Sequence, residues 1–406
     1  MNDTRNDTSM NPILTRMRQP GPKKILACDG GGIRGLISVE ILARLEAQLR
    51  HHFAQPDLLL GDYFDFICGT STGAIIASCL SCGMDMATIR NFYLDHGVSM
   101  FERARWYLQL HNKYEAEPLA GILREAFYNQ LQGHPSEQQD GDAVVELGDP
   151  RLKGLLMLML RNHSTDSPWP VCNNPLARYN QPNRKDCNLR LPLWQLVRAS
   201  TAAPTFFPPE VVTLAPGTNE EYSFVFVDGG MTTYNNPAWM AVQMATASPY
   251  EINWRTGADQ LLVVSVGTGN APAARPDLRP EELWLLDHAK SVPLALMNAA
   301  TAGWDMVCRI VGECRFGGEV DNEFGTMMQA PGMPADQGNW SGAKQFAYVR
   351  YDPLTNRKGL DAIGLSQITE QDLAAMDDVL KIPQLREVGI SYAERYVLLD
   401  HLSGFL

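Results

Sequence analysis

Short apolar runs that end in glycine, each followed by apolar residues at helical spacing, set the rhythm of the chain's first part. Residues 1–22 are polar, carry Pro12, Pro20 and Gly21, and read as an N-terminal arm. From Lys24 the run KILAC leads into Asp29-Gly30-Gly31-Gly32-Ile33-Arg34-Gly35. Ile37, Ile41, Leu42, Leu45 and Leu49 then recur on one helical face. The pattern repeats at Phe64 to Cys68, the turn Gly69-Thr70-Ser71-Thr72-Gly73 and the apolar helix AIIASCL. Strand-then-helix alternation predicts an α/β fold with a mainly parallel sheet covered on both faces.

Further along, LLMLML (155–160) fits a buried strand better than a short buried helix. Leu193 to Ala203 predicts a helix closed by Pro204. FVFV (224–227) and LLVVSV (261–266) are strands ending in Asp228-Gly229-Gly230 and Gly267-Thr268-Gly269. Residues 130–151 and 162–190 are polar, with scattered Pro, Gly and Asn, and read as surface loops. Past residue 270 the character changes. A Pro-rich linker (APAARPDLRP) precedes a helical stretch near 292–313, a strand-like AYVRYD (347–352) and a helix start capped by Thr369. The expected organisation is an arm (1–22), a core (23–270) and a C-terminal region (271–406) that packs on the core or extends it and offers a place for regulation.

Composition narrows the function. The chain has 406 residues, a net charge of −12 and 20% charged residues, which describes an ordinary folded protein and disfavours nucleic-acid polymers as partners. No apolar run is long enough to span a bilayer, and the N-terminus lacks the apolar core of a secretory signal. Several of the eight cysteines sit inside apolar runs, where reduced, buried thiols are expected. Cys79 and Cys82 have no second pair to complete a zinc site. A cytoplasmic protein with transient, peripheral membrane contact fits these features.

Gly69-x-Ser71-x-Gly73 has the form of a nucleophile elbow. A serine on a sharp strand-to-helix turn projects its hydroxyl beyond the sheet, and the flanking glycines prevent collisions in the turn. A small-residue turn without chemistry is the plainer alternative. Serine attack on an ester creates an oxyanion, and Gly30-Gly31-Gly32 on the adjacent turn can supply amide donors. A phosphate loop is the competing reading, since G-x-G-x-x-G is formally present. It lacks the acidic residue about 20 positions on and the P-loop Lys-Ser/Thr. For the base, the histidines after Ser71 are at 96, 111, 134, 163, 288 and 401, and none follows a strand in a small-residue turn. His288 and His401 have helical surroundings. Asp228 ends a strand at the same sheet edge as Ser71 and can accept its proton, unless it merely caps a D-G turn.

DGGGIRG, GTSTG and DGG, in this order, resemble the patatin-like phospholipases. RASTAAPTFFPP (198–209), NNPAW and LLVVSVGTG agree, and the resemblance covers about residues 23–270. It implies a three-layer α/β/α fold with a mainly parallel central sheet, a Ser–Asp dyad without histidine, and hydrolysis of fatty-acyl esters of membrane phospholipids. By that resemblance Ser71 is the nucleophile and Asp228 the proton acceptor. Gly30, Gly31 and Gly32 form the oxyanion hole, with Ile33 as a further donor, and Gly69, Gly73 and Gly229 support the turns. Arg34 matches the family's arginine and would fix the loop or meet lipid phosphate. No cofactor or metal is implied. Some bacterial members are antiphage effectors switched on by a cyclic nucleotide, and the loops and C-terminal region leave room for such an activator and for homo-oligomers. Two rival readings stand beside this one: a Ser-His-Asp esterase using His288 or His401, and a catalytically silent lipid- or nucleotide-binding protein.

Overall fold

A computed structural model describes residues 11–100, 117–132, 144–270, 279, 285–321, 323–328 and 342–406. The order is α1 (Pro12–Arg18), β1 (Lys23–Cys28), α2 (Gly35–His52), α3 (Leu60–Tyr63), β2 (Phe66–Thr70), α4 (Thr72–Ser81), α5 (Met86–Met100) and α6 (Glu117–Gln132). There follow β3 (Leu155–Asn162), β4 (Ser167–Cys172), α7 (Leu193–Ser200), β5 (Glu210–Leu214), β6 (Tyr222–Asp228), α8 (Ala238–Thr246) and β7 (Leu261–Val266). The last elements are α9 (Leu285–Val311), β8 (Glu313–Phe316), β9 (Ala347–Tyr351), α10 (Arg357–Ala362), α11 (Glu370–Ala374) and α12 (Ile382–Tyr396). Most of the Pro-rich linker lies outside the described residues.

The strands form one sheet. β1 pairs in parallel with β2 and β7, β2 with β3, β7 with β9, and β9 with β8; β4, β5 and β6 join antiparallel on the β3 side. Successive strand residues alternate between two cores, as the pleat requires. Leu26, Ile67, Leu158 and Val264 face one core with α2, α5, α7 and α12, and Ile25, Phe66, Met157 and Val263 face the other with α1 and α8. Cover on both faces explains why the parallel strands read as unbroken apolar runs. The architecture is therefore the expected three-layer α/β/α with a mostly parallel sheet.

Two local features differ from the sequence reading. Residues 12–18, read as part of an arm, form a helix capped by the Asn11 side chain, and Ile13, Leu14 and Met17 are buried against the sheet. β4 lies within a stretch read as loop. Its Pro168 and Pro170 obscured it, yet same-parity prolines are tolerated on an edge strand whose outer N–H positions face no partner. The region after 270, expected to pack on the core or extend it, contributes β8 and β9 to the central sheet, with β9 in the strand-like AYVRYD.

The far half of the sheet is tied to β1 by Arg350 on β9. Its buried guanidinium donates to Asp29 Oδ2 at 2.6 Å, Asp352 Oδ2 at 2.8 Å and Ser265 Oγ at 2.7 Å. Arg350→Leu would strand two carboxylates and is expected to cost about 3–5 kcal/mol of stability. Urea unfolding followed by circular dichroism measures it, and an unchanged midpoint would show the cluster to be dispensable.

Candidate active site

Ser71 and Asp228 meet because of β3. Its residues Met157–Met159 pair with β2 on one edge and β4 on the other, and Leu160–Asn162 pair with β6 and β4. β2 and β6 therefore share one edge of β3 and run toward each other. Thr70 stands opposite Met159 and Asp228 opposite the next residue, Leu160. The residue that follows β2 and the last residue of β6 are thus brought together, and Ser71 Oγ donates to Asp228 Oδ2 at 2.6 Å.

Ser71 adopts φ 54° and ψ −122° between β2 and α4. That conformation is sparsely populated for a residue with a side chain and costs about 1–3 kcal/mol, held by its surroundings. A Cβ at Gly69 would collide with the Gly73 carbonyl, and one at Gly73 with the Cys28 carbonyl, so both flanking glycines are required by close backbone approach. The Ser71 amide donates to Ser200 Oγ at 2.9 Å, and Ser200 Oγ donates to the Met159 carbonyl at 2.7 Å. Ser200 thereby fixes the elbow to β3.

Asp228 is 5% exposed and Ser71 9%. Burial pushes the Asp228 carboxyl up to about 6, while its bonds to Ser71 and to the Gly230 amide (2.7 Å) and the charge of Arg198 oppose the rise. A carboxylate of raised basicity on a serine hydroxyl can take the hydroxyl proton. The pair opens into a mostly apolar cavity of about 530 Å³, lined by Ile75, Tyr93, Met100, Leu119 and Met231 among others. Among the described residues, no histidine lines it. His401 instead bonds Tyr351 and stacks on Phe316, and His288 lies on α9 where side chains fall outside the described residues.

The glycine loop borders the same cavity. The Gly30 amide donates to the Asn235 carbonyl at 3.2 Å and the Ile33 amide to the Met376 carbonyl at 2.9 Å. Among the described residues, the amides of Gly31 and Gly32 have no partner. Gly32 has φ +61°, and a Cβ there would strike the Met376 carbonyl. Thr268 Oγ1 donates to the Gly30 carbonyl at 3.1 Å and braces the loop from β7. Arg34 is buried, and among the described residues its side chain makes no hydrogen bond to the loop, fixing which was one of its two expected roles. Gly229 packs against the Met159 carbonyl at the foot of the Asp228 turn. Ser200, Asn235 and Thr268 lie in sequence segments that suggested the family but carried no individual role. Met376 had no sequence signal, because it acts through its backbone.

Ser200→Ala leaves the Ser71 amide and the Met159 carbonyl without their buried partner. The expected cost is about 1–3 kcal/mol, together with slower acylation at Ser71. Thermal melting and active-site titration on one preparation test this. A variant with wild-type midpoint and wild-type labelling rate would remove Ser200 from the elbow.

The chain is similar to several known proteins. Patatin-17 of Solanum cardiophyllum is 29% identical over 297 residues, covering 68% of this chain and 69% of that protein. Patatin-T5 of Solanum tuberosum is 28% identical over 262 residues, covering 60% of each. VipD from Legionella pneumophila is similar at 13% identity with a TM-score of 0.38, covering 93% of this chain and 66% of that one. The family model described as patatin-like phospholipase matches residues 26–242. With more than half of its 406 residues matched, the chain belongs to the patatin-like phospholipase family.

Proposed function

We propose that this chain is a lipid acyl hydrolase that cleaves fatty-acyl esters of membrane phospholipids through Ser71 and Asp228. The observation that carries the reading is the 2.6 Å bond from Ser71 Oγ to a buried carboxylate at the wall of an apolar cavity. The acyl chain lies in the cavity with its carbonyl carbon against Ser71 Oγ. Asp228 takes the hydroxyl proton as the C–O bond forms. The tetrahedral oxyanion is met by the amides of Gly31 and Gly32, which among the described residues have no other partner, and by the N-terminal end of α4. Collapse breaks the ester bond, and Asp228 returns the proton to the departing lysophospholipid oxygen. Water then attacks the acyl-serine, Asp228 takes one of its protons, and fatty acid leaves as Ser71 regains its hydrogen.

Reaching a bilayer substrate calls for peripheral contact. Among the described residues no helix is long and apolar enough to cross a membrane. A silent binding protein is the reading that differs most, and a fluorophosphonate probe separates the two, since only an activated serine is labelled.

Ser71→Ala should fold normally, resist the probe and lose at least about 10³-fold in fatty-acid release from phosphatidylcholine vesicles. Asp228→Asn should lose about 10²–10⁴-fold, because an amide is not a useful base. Activity of either variant near wild type would overturn the dyad.

The pH profile is a separate test. Asp228 must be unprotonated to act, and burial has pushed it up to about 6. The kcat/KM should therefore be level above that pH and fall tenfold per unit below it. A break near the ordinary carboxylate range, about 4, would show that the working base is a solvated group.

A further inference from the structure

Tyr93 on α5 belongs both to the cavity wall and to the elbow. It is 1% exposed and lines the apolar cavity beside Ser71, while its hydroxyl meets the residue that follows Ser71. The phenol oxygen lies 3.1 Å from the Thr72 carbonyl and 2.6 Å from Thr72 Oγ1. A carbonyl can only accept and a phenol has one proton. Tyr93 therefore donates to the carbonyl, and Thr72 Oγ1 donates to the phenol oxygen. Burial pushes the phenol up, so it keeps that proton at any working pH.

Both ends of this clamp are fixed. One turn before Tyr93, Arg90 makes a two-pronged bond to Glu40 of α2 at 2.9 and 2.6 Å, and Glu40 also accepts from Arg386 of α12 at 2.8 Å. The depth at which Tyr93 reaches α4 is thereby set by three helices. On the other side, a Cβ at Gly35, the first residue of α2, would strike the Thr72 hydroxyl. Thr72 is thus held between Tyr93 and the end of the glycine loop.

What Thr72 offers the reaction is its amide. It opens α4, which has no side-chain cap, so the orientation of this first peptide depends on what grips it from outside. Among the described residues the Thr72 amide has no partner, whereas the Ser71 amide is taken by Ser200. The amide after a nucleophilic serine is within reach of an oxyanion formed there. Its value depends on being aimed before the charge develops.

We propose that Tyr93 is a positioning residue for ester hydrolysis, its hydroxyl holding the first peptide of α4 so that the Thr72 amide joins Gly31 and Gly32 at the oxyanion. The proposal rests on the reading of Ser71 as the nucleophile. Tyr93 acts through Thr72 and carries no proton to or from the substrate.

The test uses the full chain, p-nitrophenyl butyrate as a soluble ester and a fluorophosphonate to count active sites. Labelling is read first. If the wild type is not labelled at Ser71, the nucleophile reading falls and this proposal with it. Where it is labelled, Tyr93→Phe keeps the ring in the wall and removes only the hydroxyl. That variant should lose about tenfold in kcat per titrated site, as expected for one buried hydrogen bond, with KM within about twofold of wild type. Thr72→Val should lose a similar factor, and Thr72→Ser, which restores the hydroxyl, should recover most of it. A hydroxyl that serves folding alone would lower the melting temperature and leave kcat per titrated site at the wild-type value. That result overturns the proposal and leaves the reading of Ser71 and Asp228 standing. A loss confined to KM overturns it too, since it would limit Tyr93 to holding substrate. Should Tyr93→Phe fail to fold, Thr72→Val and Thr72→Ser decide by themselves, and equal kcat in the two overturns the proposal.

Discussion

Everything at the site depends on one edge of β3. A strand has two edges, and β4 occupies one of them from Met157 to Asn162, leaving β2 and β6 to share the other end to end. Two strands of opposite direction on one edge must stop where they meet, and the residues at that junction are forced together. Ser71 and Asp228 are those residues. Their 2.6 Å contact is thus set by backbone ladder registers that extend across the sheet, and it does not rely on long side chains finding each other. A slip of one residue in the β3–β6 ladder would turn Asp228 to the other face. Ser200 bonds both to Ser71 and to the carbonyl of Met159, the β3 residue beside the junction, and so locks the registers where an error would matter most.

The second constraint is the way the glycine loop is held. Each bond to it comes from a different part of the chain: Asn235 after β6, Thr268 after β7, and Met376 after α11. Two amides are thereby engaged and the two between them are left without partners. The C-terminal region is consequently part of the cavity wall, as Ala374 and Met376 line the space beside Ser71, and α12 packs against α2 in the same core. Its β9 also brings Arg350 to Asp29, at the root of the loop. A loop braced from three sides is preorganised, which is what amide stabilisation of a transient charge requires.

How much of this was legible in sequence follows from what kind of atom does each job. The strand–turn–helix units around Gly30 and Ser71 were plain, because glycine-terminated apolar runs are the direct image of buried parallel strands. Asp228 was legible for the same reason, as the polar end of an apolar run. The β4 strand was hidden by Pro168 and Pro170, whose meaning changes at an edge. Residues 12–18 looked like a polar arm because Ile13, Leu14 and Met17 make a narrow stripe among charged neighbours. Met376 could not be read at all, since a carbonyl oxygen is common to every residue and only the path of the chain places it over Ile33.

The pairing of a serine with a carboxylate alone puts demands on its surroundings that a histidine would relax. An ordinary aspartate in water is too weak a base to share a serine proton well at neutral pH. Burial raises its basicity, but burial alone would protonate it outright. The structure balances the two. Desolvation pushes Asp228 upward, while the Gly230 amide, the Ser71 hydroxyl and the charge of Arg198 hold it back. Arg198 is itself fully buried and donates to the Pro208 carbonyl, so its charge is kept near Asp228 without neutralising it through a direct ion pair. A direct guanidinium contact would drop the carboxylate back toward its ordinary range and remove the basicity on which its proposed role rests. The anchoring of Arg198 to the Pro208 carbonyl, clear of the carboxylate, is therefore as much a part of the proposed site as the Ser71–Asp228 pair.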